Sequence, residues 1–448
     1  MEFFGVNPGR RIALYFLCAI ILGAVILALP VSSAGKPIGV LNALFTSTSA
    51  VCVTGLTVVD TGTDFSLFGQ IVILVLIQLG GLGIMTFATA LFAAFGSRLS
   101  FGDRLGLTQS FLADNRGKHT SLLKAVIFTT LAVELVGAIL LLFKFYPRYP
   151  IDKAAYYAIF HSVSAFCNAG FSVFSNSLEN YNGDIVMTLI FSALIISGGL
   201  GFAVIRELFE KLKDKTMRLS LHTKLCLTGT AALIILGTAA ILVAEYQNTF
   251  SQHSLIKGAV GAFFQAITAR TAGFNMIPQA SLTELSLMVT TMLMFIGACP
   301  GSTAGGIKLT TILLIFLLVY NRFRGRNHVV AFRRTINQES IIRALTVFIL
   351  SALVVMFMLG FLMFAEEKPL AHSVAHGWLG ETMFEVISAF GTVGLSLGIT
   401  AELSALGKMI IIITMFAGRV GLLTLAYALI APPLKGELVY AEEPVMTG

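Results

Sequence analysis

The stretch Ser388-Ala-Phe-Gly-Thr-Val-Gly-Leu-Ser396 decides the fold, because three earlier segments of the chain echo it around a central glycine. Each segment follows an apolar run that contains an aromatic residue, and the four lie about a quarter of the chain apart. The echoes are Ser49-Ala-Val-Cys-Val-Thr-Gly55-Leu-Thr57, Ser164-Ala-Phe-Cys-Asn-Ala-Gly170-Phe-Ser172 and Thr268-Ala-Arg-Thr-Ala-Gly273-Phe-Asn275. Self-similarity at a fixed period is typical of repeated architectures. A glycine that recurs in this way predicts four backbone segments meeting around one axis, as in a pore.

The composition is that of a membrane protein. Of the 448 residues, 56% are hydrophobic and only 12% are charged, and the mean hydropathy is +0.88. A soluble protein of this length carries about 25% charged residues. Apolar runs of about 20 residues recur along the chain, and each is long enough to cross a hydrocarbon core. These runs are continuous rather than alternating, so they predict an all-α polytopic membrane protein.

Each quarter of the chain has the order long helix, short helix, polar stretch, long helix. In the first quarter, Arg11–Leu29 and Leu67–Phe95 are predicted spans, and Gly39–Cys52 is a short helical run between them. A run of about 13 residues is too short to cross the membrane, so it is expected to re-enter from the side on which it started. The second long helix of the second quarter is predicted over about Asp184–Glu207.

The predicted fold is therefore a set of four helix–pore loop–helix repeats. Eight transmembrane helices and four re-entrant pore helices would surround a pseudo-fourfold pore. The repeats are expected to cover residues 1–97, 98–215, 216–330, with a broken second helix, and 331–448.

The distribution of basic residues predicts the topology. The segments that join successive quarters are rich in Lys and Arg, and Arg10 and Arg11 precede the first span. Cytoplasmic loops carry an excess of Lys and Arg, so both termini and the three joining loops are expected in the cytoplasm of a cell (inner) membrane protein. The net charge of +7 is then a topology signal, and no nucleic-acid partner is expected.

The four glycine stretches suit the coordination of a cation by main-chain carbonyls. Glycine permits positive φ, so carbonyls can turn toward the axis, and the C-terminal end of each short helix directs its negative dipole end there. Potassium filters use such carbonyl rings, with Thr-Val-Gly-Tyr-Gly as the reference, and Thr392-Val393-Gly394 copies that pattern. The third stretch is one residue shorter than the others, which leaves the register of Arg270–Ala272 open. The predicted filter residues, whose carbonyls alone would hold potassium, are Val53, Thr54, Gly55, Leu56, Asn168, Ala169, Gly170, Phe171, Thr271, Ala272, Gly273, Phe274, Thr392, Val393, Gly394 and Leu395.

A second motif, Cys299-Pro-Gly-Ser-Thr-Ala-Gly-Gly306 followed by Lys308, interrupts the long apolar run Leu282–Tyr320. Proline and glycine cannot continue a stable helix, so this span is expected to break near the middle of the membrane. A phosphate-binding loop is disfavoured because Lys308 does not follow Gly306 directly and no strand precedes the glycines. Close helix packing through small residues would use a similar stretch, and the residues alone leave that alternative open.

Two charged residues are predicted inside the membrane. Arg419 lies within the apolar span Ser404–Ile430, where a charge costs at least ~2.5 kcal/mol, so it should face the interior and have a partner. A structural contact with carbonyls and a cationic barrier below the filter both remain open for Arg419. Glu134 is expected to contact a neighbouring helix or a subunit.

With these motifs the chain resembles the Trk/Ktr/HKT superfamily of potassium uptake proteins, whose members contain four helix–pore loop–helix repeats with one filter glycine each. It looks closest to the bacterial Ktr membrane subunit, KtrB, because it starts directly at the first repeat. The resemblance implies potassium-selective uptake, stimulated by sodium in some members. It also implies a homodimer and a KtrA-like cytoplasmic nucleotide-binding ring, through which alone ATP or ADP would act. Finally, it implies an intramembrane gate below the filter that consists of Cys299, Pro300, Gly301, Ser302, Thr303, Ala304, Gly305, Gly306, Lys308 and Arg419.

Two other functional classes are alternatives to potassium uptake. An enzyme is not expected, because the spans contain no constellation of nucleophile, base or metal ligands, and no covalently bound cofactor is expected. A secondary transporter of another cation or small solute is the alternative function. Such transporters use broken helices in inverted repeats, whereas all four quarters here are predicted to begin and end on the same side.

Overall fold

The structure is a computed structural model, which describes residues 8–95, 119–251, 254–366, 377–422 and 424–425. These residues form fourteen α-helices and one two-stranded hairpin. The helices are α1 Pro8–Leu27, α2 Val40–Val51, α3 Leu67–Phe95, α4 His119–Phe145, α5 Ile151–Phe166, α6 Ile185–Leu200, α7 Phe202–Lys213, α8 Leu221–Glu245, α9 Leu255–Thr268, α10 Glu284–Phe295, α11 Leu309–Phe323, α12 Gln338–Ala365, α13 Trp378–Gly391 and α14 Ala405–Val420. The hairpin pairs β1 Val330–Ala331 with β2 Arg334–Thr335 in antiparallel register.

Four helices in the described residues are long and apolar enough to cross a membrane. They are Gly9–Leu27, Ala125–Phe145, Leu221–Glu245 and Gln338–Ala365, one at the start of each quarter. The second long helix is less regular in three of the quarters: α6 and α7 form one bent pair, α10 and α11 are separated by a loop, and α14 has 16 residues. The predicted span Ser404–Ile430 is interrupted, because α14 ends at Val420 and the following Gly421 has a φ of +87°. Residues 426–430 and the predicted repeat boundary at 97/98 lie outside the described residues. The chain is a multi-pass helical membrane protein.

The prediction of one continuous helix over Asp184–Glu207 is wrong. The helix ends at Leu200, and α7 continues at an angle of 102° after Gly201, whose φ is +85°. A Cβ atom at Gly201 would lie 2.6 Å from the carbonyl oxygen of Pro300. The bend therefore exists because a distant loop passes against the backbone at this point, and only glycine leaves room for it.

The short helices α2, α5, α9 and α13 lie between the long helices. Each packs against the first long helix of its own quarter: α2 on α1, α5 on α4, α9 on α8 and α13 on α12. The second long helix of each quarter also contacts the short helix of the next, so α3 touches α5, α6 touches α9, and α10 touches α13. Helix α14 touches α2, which closes the series into a circle.

One phenylalanine in each short helix anchors it in the apolar core. These phenylalanines occupy equivalent places before the four glycine stretches, and none is more than 1% exposed. They are Phe45, Phe160, Phe264 and Phe384. Inside a membrane, helices associate through van der Waals packing, because lipid tails are as apolar as these side chains. The short helices are therefore stabilised by tertiary packing, since isolated helices of this length are only marginally stable.

Candidate functional site

The glycines of the four repeated stretches form a closed ring. All have positive φ: +93° for Gly55, +71° for Gly170, +77° for Gly273 and +95° for Gly394. A Cβ placed on Gly55 would lie 3.0 Å from the Cα of Gly170, and one on Gly170 would lie 3.1 Å from the Cα of Gly273. The same distance is 3.2 Å from Gly273 to Gly394 and 3.0 Å from Gly394 back to Gly55. The chain thus brings four segments into contact at a single level.

Main-chain oxygens lie at the level of this ring. A Cβ on each glycine would meet the carbonyl oxygen of the residue that precedes the next glycine of the ring. The pairs are Gly55 with Ala169 (2.5 Å), Gly170 with Ala272 (3.0 Å), Gly273 with Val393 (2.3 Å) and Gly394 with Thr54 (2.2 Å). A side chain at any of these positions would collide with backbone, so glycine is required by close approach as well as by φ.

The residue after each glycine turns its side chain into the protein core. Leu56 is 1% exposed, and Phe171, Phe274 and Leu395 are fully buried. Apolar anchors of this kind on all four segments leave the backbone, and not the side chains, to face the ring. The local chemistry is therefore that of carbonyl oxygens, which suit hard cations.

The register is the same in all four stretches. A non-glycine residue with positive φ precedes each glycine by two positions: Val53, Asn168, Thr271 and Thr392. The residue missing from the third stretch is therefore lost between the end of α9 at Thr268 and Thr271. As a result, the backbone N–H of Ala272 donates to the carbonyl of Thr268, four residues earlier. The backbone N–H of Thr54 donates instead to the carbonyl of Ser49, five residues earlier. Arg270 then takes the place held by Cys52, Cys167 and Gly391, and its side chain is 94% buried.

A cavity of about 390 Å³ opens onto the glycine ring. Its lining includes all four glycines and the segments that follow them, and it carries the acidic side chains Asp60 and Glu179. Burial raises the pKa of the Glu179 carboxyl. In their ionised form these carboxylates would attract cations to the cavity.

The loop between α10 and α11 lies where the sequence predicts a break. Helix α10 ends at Phe295, and α11 begins at Leu309. Two backbone hydrogen bonds join the ends of the loop. Gly297 N donates to the carbonyl of Ile307 (2.8 Å), and Leu309 N donates to the carbonyl of Ala298 (3.0 Å). It is therefore an ordered loop with its own hydrogen bonds, as backbone within a membrane requires.

This loop lies directly against the predicted filter. A Cβ at Gly305 would be 2.2 Å from Oγ1 of Thr392, and one at Gly306 would be 3.1 Å from the Cα of Gly391. Gly306 N also donates to the carbonyl of Gly418 in α14 (3.3 Å). Gly306 therefore allows the loop to touch the backbone of the fourth quarter, and Gly305 leaves room for the Thr392 side chain.

The loop is also tied to the second quarter. Cys299 N donates to the carbonyl of Gly199 (3.1 Å), and Thr303 N donates to that of Gly198 (3.3 Å). The hydroxyl of Thr303 donates to the carbonyl of Phe166, the last residue of α5 (3.2 Å). The end of α6 and the end of a short helix therefore share the loop as a hydrogen-bond partner.

Arg419 joins the loop to two long helices. Its side chain is 97% buried and donates to the carbonyl of Thr303 in the loop and to that of Gly80 in α3 (2.5 Å). Lys308 donates to the carbonyl of Ala304 inside the loop (2.7 Å). Arg419, which the sequence predicts inside the membrane, therefore has the carbonyl partners that a buried charge requires, and Lys308 has one as well.

Sequence reasoning missed a set of glycines that support the short helices. In three quarters, a glycine of the second long helix lies against the carbonyl of a residue at or next to the end of a short helix. A Cβ there would be 2.0 Å from the Val51 oxygen for Gly80, 1.9 Å from the Phe166 oxygen for Gly198 and 1.9 Å from the Phe390 oxygen for Gly418. The residues that follow are Gly81, Gly199 and Arg419. The Gly-Gly pairs inside apolar helices were the available signal.

Glu134 contacts neighbouring helices, as expected. Its carboxyl group accepts a hydrogen bond from Gln78 Nε2 in α3 (3.2 Å) and one from the Cys167 thiol (3.9 Å). The side chain is 6% exposed. Glu134 therefore links α3, α4 and the end of α5.

The long apolar helices define a polytopic membrane protein. The chain belongs to the TrkH family of cation transport proteins, whose family model matches residues 18–433. This confirms the resemblance to the Trk and Ktr proteins, and the family is one of transporters and not of enzymes.

Curated proteins and a solved structure are similar to the chain over nearly its whole length. The Ktr system potassium uptake protein B of Bacillus subtilis is 40% identical, with 99% of this chain and 97% of that protein covered. The potassium/sodium uptake protein NtpJ of Enterococcus hirae is 35% identical, with 99% and 98% covered. The crystal structure of the potassium transporter TrkH from Vibrio parahaemolyticus superposes with a TM-score of 0.75 at 20% identity, with 96% and 86% covered. That last likeness shows a shared fold.

Proposed function

We propose that this protein takes up potassium selectively across the cell membrane as the ion-translocating subunit of a Ktr-like system. The observation that carries the proposal is the closed ring of Gly55, Gly170, Gly273 and Gly394 with main-chain oxygens at its level. Such oxygens can replace the hydration shell of a potassium ion. The names of the two curated relatives, which refer to potassium uptake, support the same ion.

The proposed architecture is four helix–pore loop–helix repeats with eight membrane spans and four re-entrant pore helices. The circular packing of α2, α5, α9 and α13 supports it. The repeats would cover residues 1–97, 98–215, 216–330 and 331–448. Each pore helix would direct the negative end of its dipole toward the ring, which favours a cation there.

The proposed filter consists of the carbonyls of the four stretches that end in Gly55-Leu56, Gly170-Phe171, Gly273-Phe274 and Gly394-Leu395. The uniform register and the buried apolar anchors support this assignment. The ring has no side chain within it, so selectivity would depend on where the backbone holds its oxygens.

The proposed gate is the loop Cys299–Gly306 together with Lys308 and Arg419. Its contacts with Thr392 and Gly391 support a position beneath the filter. Arg419 would have two roles that the sequence left as alternatives. Its hydrogen bonds hold the loop against α3, and its charge opposes the passage of cations at a level where two other quarters have only Gly81 and Gly199.

The proposed assembly is a homodimer that binds a KtrA-like cytoplasmic ring, through which ATP or ADP would control the gate. The resemblance to Ktr proteins supports it, and so does the exposed basic surface around Arg324 and the hairpin residues Arg333 and Arg334. Both termini would be cytoplasmic in an inner membrane. Sodium is proposed as a stimulating ion on the resemblance to the Trk/Ktr/HKT superfamily.

The test is rubidium tracer uptake into proteoliposomes that contain the purified chain, with potassium, sodium and caesium as competitors. We expect potassium to block uptake far more strongly than sodium. If the chain alone carries no rubidium, the regulatory ring is added with ATP. Absence of uptake with the ring present, or equal block by potassium and sodium, would refute selective potassium uptake.

A further inference from the structure

A polar residue occupies the same place in all four short helices. It lies three residues before the serine or threonine that begins each repeated stretch. The four residues are Thr46, His161, Gln265 and Glu385, and none is more than 1% exposed. A buried polar side chain costs free energy unless it is hydrogen-bonded, so the partners of these four indicate what each does.

Glu385 holds the backbone that leaves the fourth stretch. Its carboxyl group accepts hydrogen bonds from the hydroxyl of Ser396 (2.8 Å) and from that of Thr400 (2.5 Å). These hydroxyls lie two and six residues after Gly394, and they are also 2.9 Å from each other. One side chain on α13 thus fixes two points of the segment that follows the glycine ring.

His161 and Gln265 make the corresponding contacts in two other quarters. The Nδ1–H of His161 donates to the carbonyl of Tyr157 (2.7 Å), so its Nε2 accepts from the hydroxyl of Ser172, two residues after Gly170 (3.0 Å). Gln265 donates to the side-chain oxygen of Gln279 (2.7 Å), six residues after Gly273, and accepts from its amide group (3.2 Å). The same two positions after the glycine are therefore used again.

Thr46 lacks such a contact. Its buried hydroxyl has no hydrogen-bond partner among the described residues. Three of the four quarters thus tie the short helix to the segment beyond the ring, and the first does not. This difference provides a matched control at an equivalent position.

We propose that Glu385, supported by Gln265 and His161, is a positioning residue that sets the potassium selectivity of the ring. The proposal rests on the proposed function of the four stretches as a potassium filter. The segments that leave the ring are irregular backbone, and these side chains hold them against the rigid short helices. Discrimination between cations by carbonyls depends on where those carbonyls are held. Loss of the contacts would let the ring relax without removing any of its oxygens.

The test compares Glu385→Leu, Glu385→Gln and Thr46→Val in the rubidium uptake assay. The readout is the ratio of the sodium and potassium inhibition constants, which is independent of the folded fraction because unfolded molecules carry no rubidium. We expect Glu385→Leu to lower this ratio at least tenfold, because it removes two buried hydrogen bonds and the loss of one changes an equilibrium by about that factor. Glu385→Gln keeps an acceptor and should restore most of the selectivity. Thr46→Val should leave the ratio unchanged.

The outcomes separate this proposal from the filter assignment itself, with Gly394→Ser as the reference. If Gly394→Ser lowers the ratio and Glu385→Leu does not, the positioning role is refuted and the filter stands. If neither changes it, the filter assignment fails. An equal loss in Thr46→Val would also refute a role specific to these contacts. Should Glu385→Leu fail to fold, the double variant Ser396→Ala/Thr400→Val removes the same bonds from the other side and should lower the ratio.

Discussion

Replacement of Gly394 by serine is the sharpest perturbation of the glycine ring that the structure offers. The backbone φ of Gly394 is +95°, a value that residues with a side chain rarely adopt. An added Cβ would lie 2.2 Å from the carbonyl oxygen of Thr54. Since the nearest atom belongs to backbone, it cannot rotate away as a side chain would. The two segments must therefore separate by roughly 1 Å to restore van der Waals contact.

The expected effect on selectivity follows from the strain at this residue. A non-glycine residue held in such a conformation costs about 1–3 kcal/mol. If the ring relaxes to relieve that cost, relative ion affinities change by about 5- to 150-fold. We expect Gly394→Ser to admit sodium at the expense of potassium, with the ratio of inhibition constants in rubidium uptake falling within that range. Gly273→Ser should act in the same direction, because its Cβ would lie 2.3 Å from the Val393 oxygen.

Gly325→Ser is the matched control for this prediction. Gly325 also has positive φ, at +68°, but an added Cβ would meet no atom of the described residues within 4 Å. It should therefore lose stability through strain and keep its selectivity. Unchanged selectivity in Gly394→Ser, or an equal fall in Gly325→Ser, would refute the argument that close approach in the ring controls selection.

Three further predictions concern the loop and the helices around it. Arg419→Gln should raise the maximal rate of rubidium uptake several-fold, because it removes a buried charge and weakens the hydrogen bonds to Thr303 and Gly80. An unchanged maximal rate would exclude a barrier role for Arg419. Gly201→Ala should also raise the rate while leaving selectivity unchanged, because its Cβ would displace the Pro300 carbonyl and not the ring; a shift in ion preference would contradict this separation. Glu134→Leu should lower the free energy of unfolding by about 1–3 kcal/mol, because it leaves the Gln78 amide without its hydrogen-bond acceptor. The loss should appear as a lower Tm in detergent, and it should be smaller for Glu134→Gln.

The short helices and the interrupted span could be predicted from sequence because their signals are local. The run Gly39–Cys52 corresponds to α2 at Val40–Val51, and Pro300 with its neighbouring glycines falls inside the loop that separates α10 from α11. Glycine, proline and run length act on the residues next to them, so one segment suffices to recognise their effect.

The bend at Gly201 could not be predicted in this way. It lies in an apolar run whose composition continues to favour a helix, and its cause is the Pro300 carbonyl, about a hundred residues further along the chain. The register of the third stretch was hidden for a related reason. Only contact with the other three segments shows that the missing residue lies before Thr271.

In the proposed architecture, the departures from fourfold symmetry are concentrated at the loop beneath the filter. Four equivalent loops would compete for the same space there, so only one quarter would supply a loop. The third quarter supplies this loop, and the backbones of Gly198 and Gly199 lie close to the side chains of Thr303 and Ala298. The fourth quarter replaces the second glycine of such a pair with Arg419, whose side chain fills the remaining space and bonds to the loop. The symmetric ring and the asymmetric loop therefore depend on different residues. For that reason we expect variants of the ring to change which ion passes, and variants of the loop to change how fast it passes.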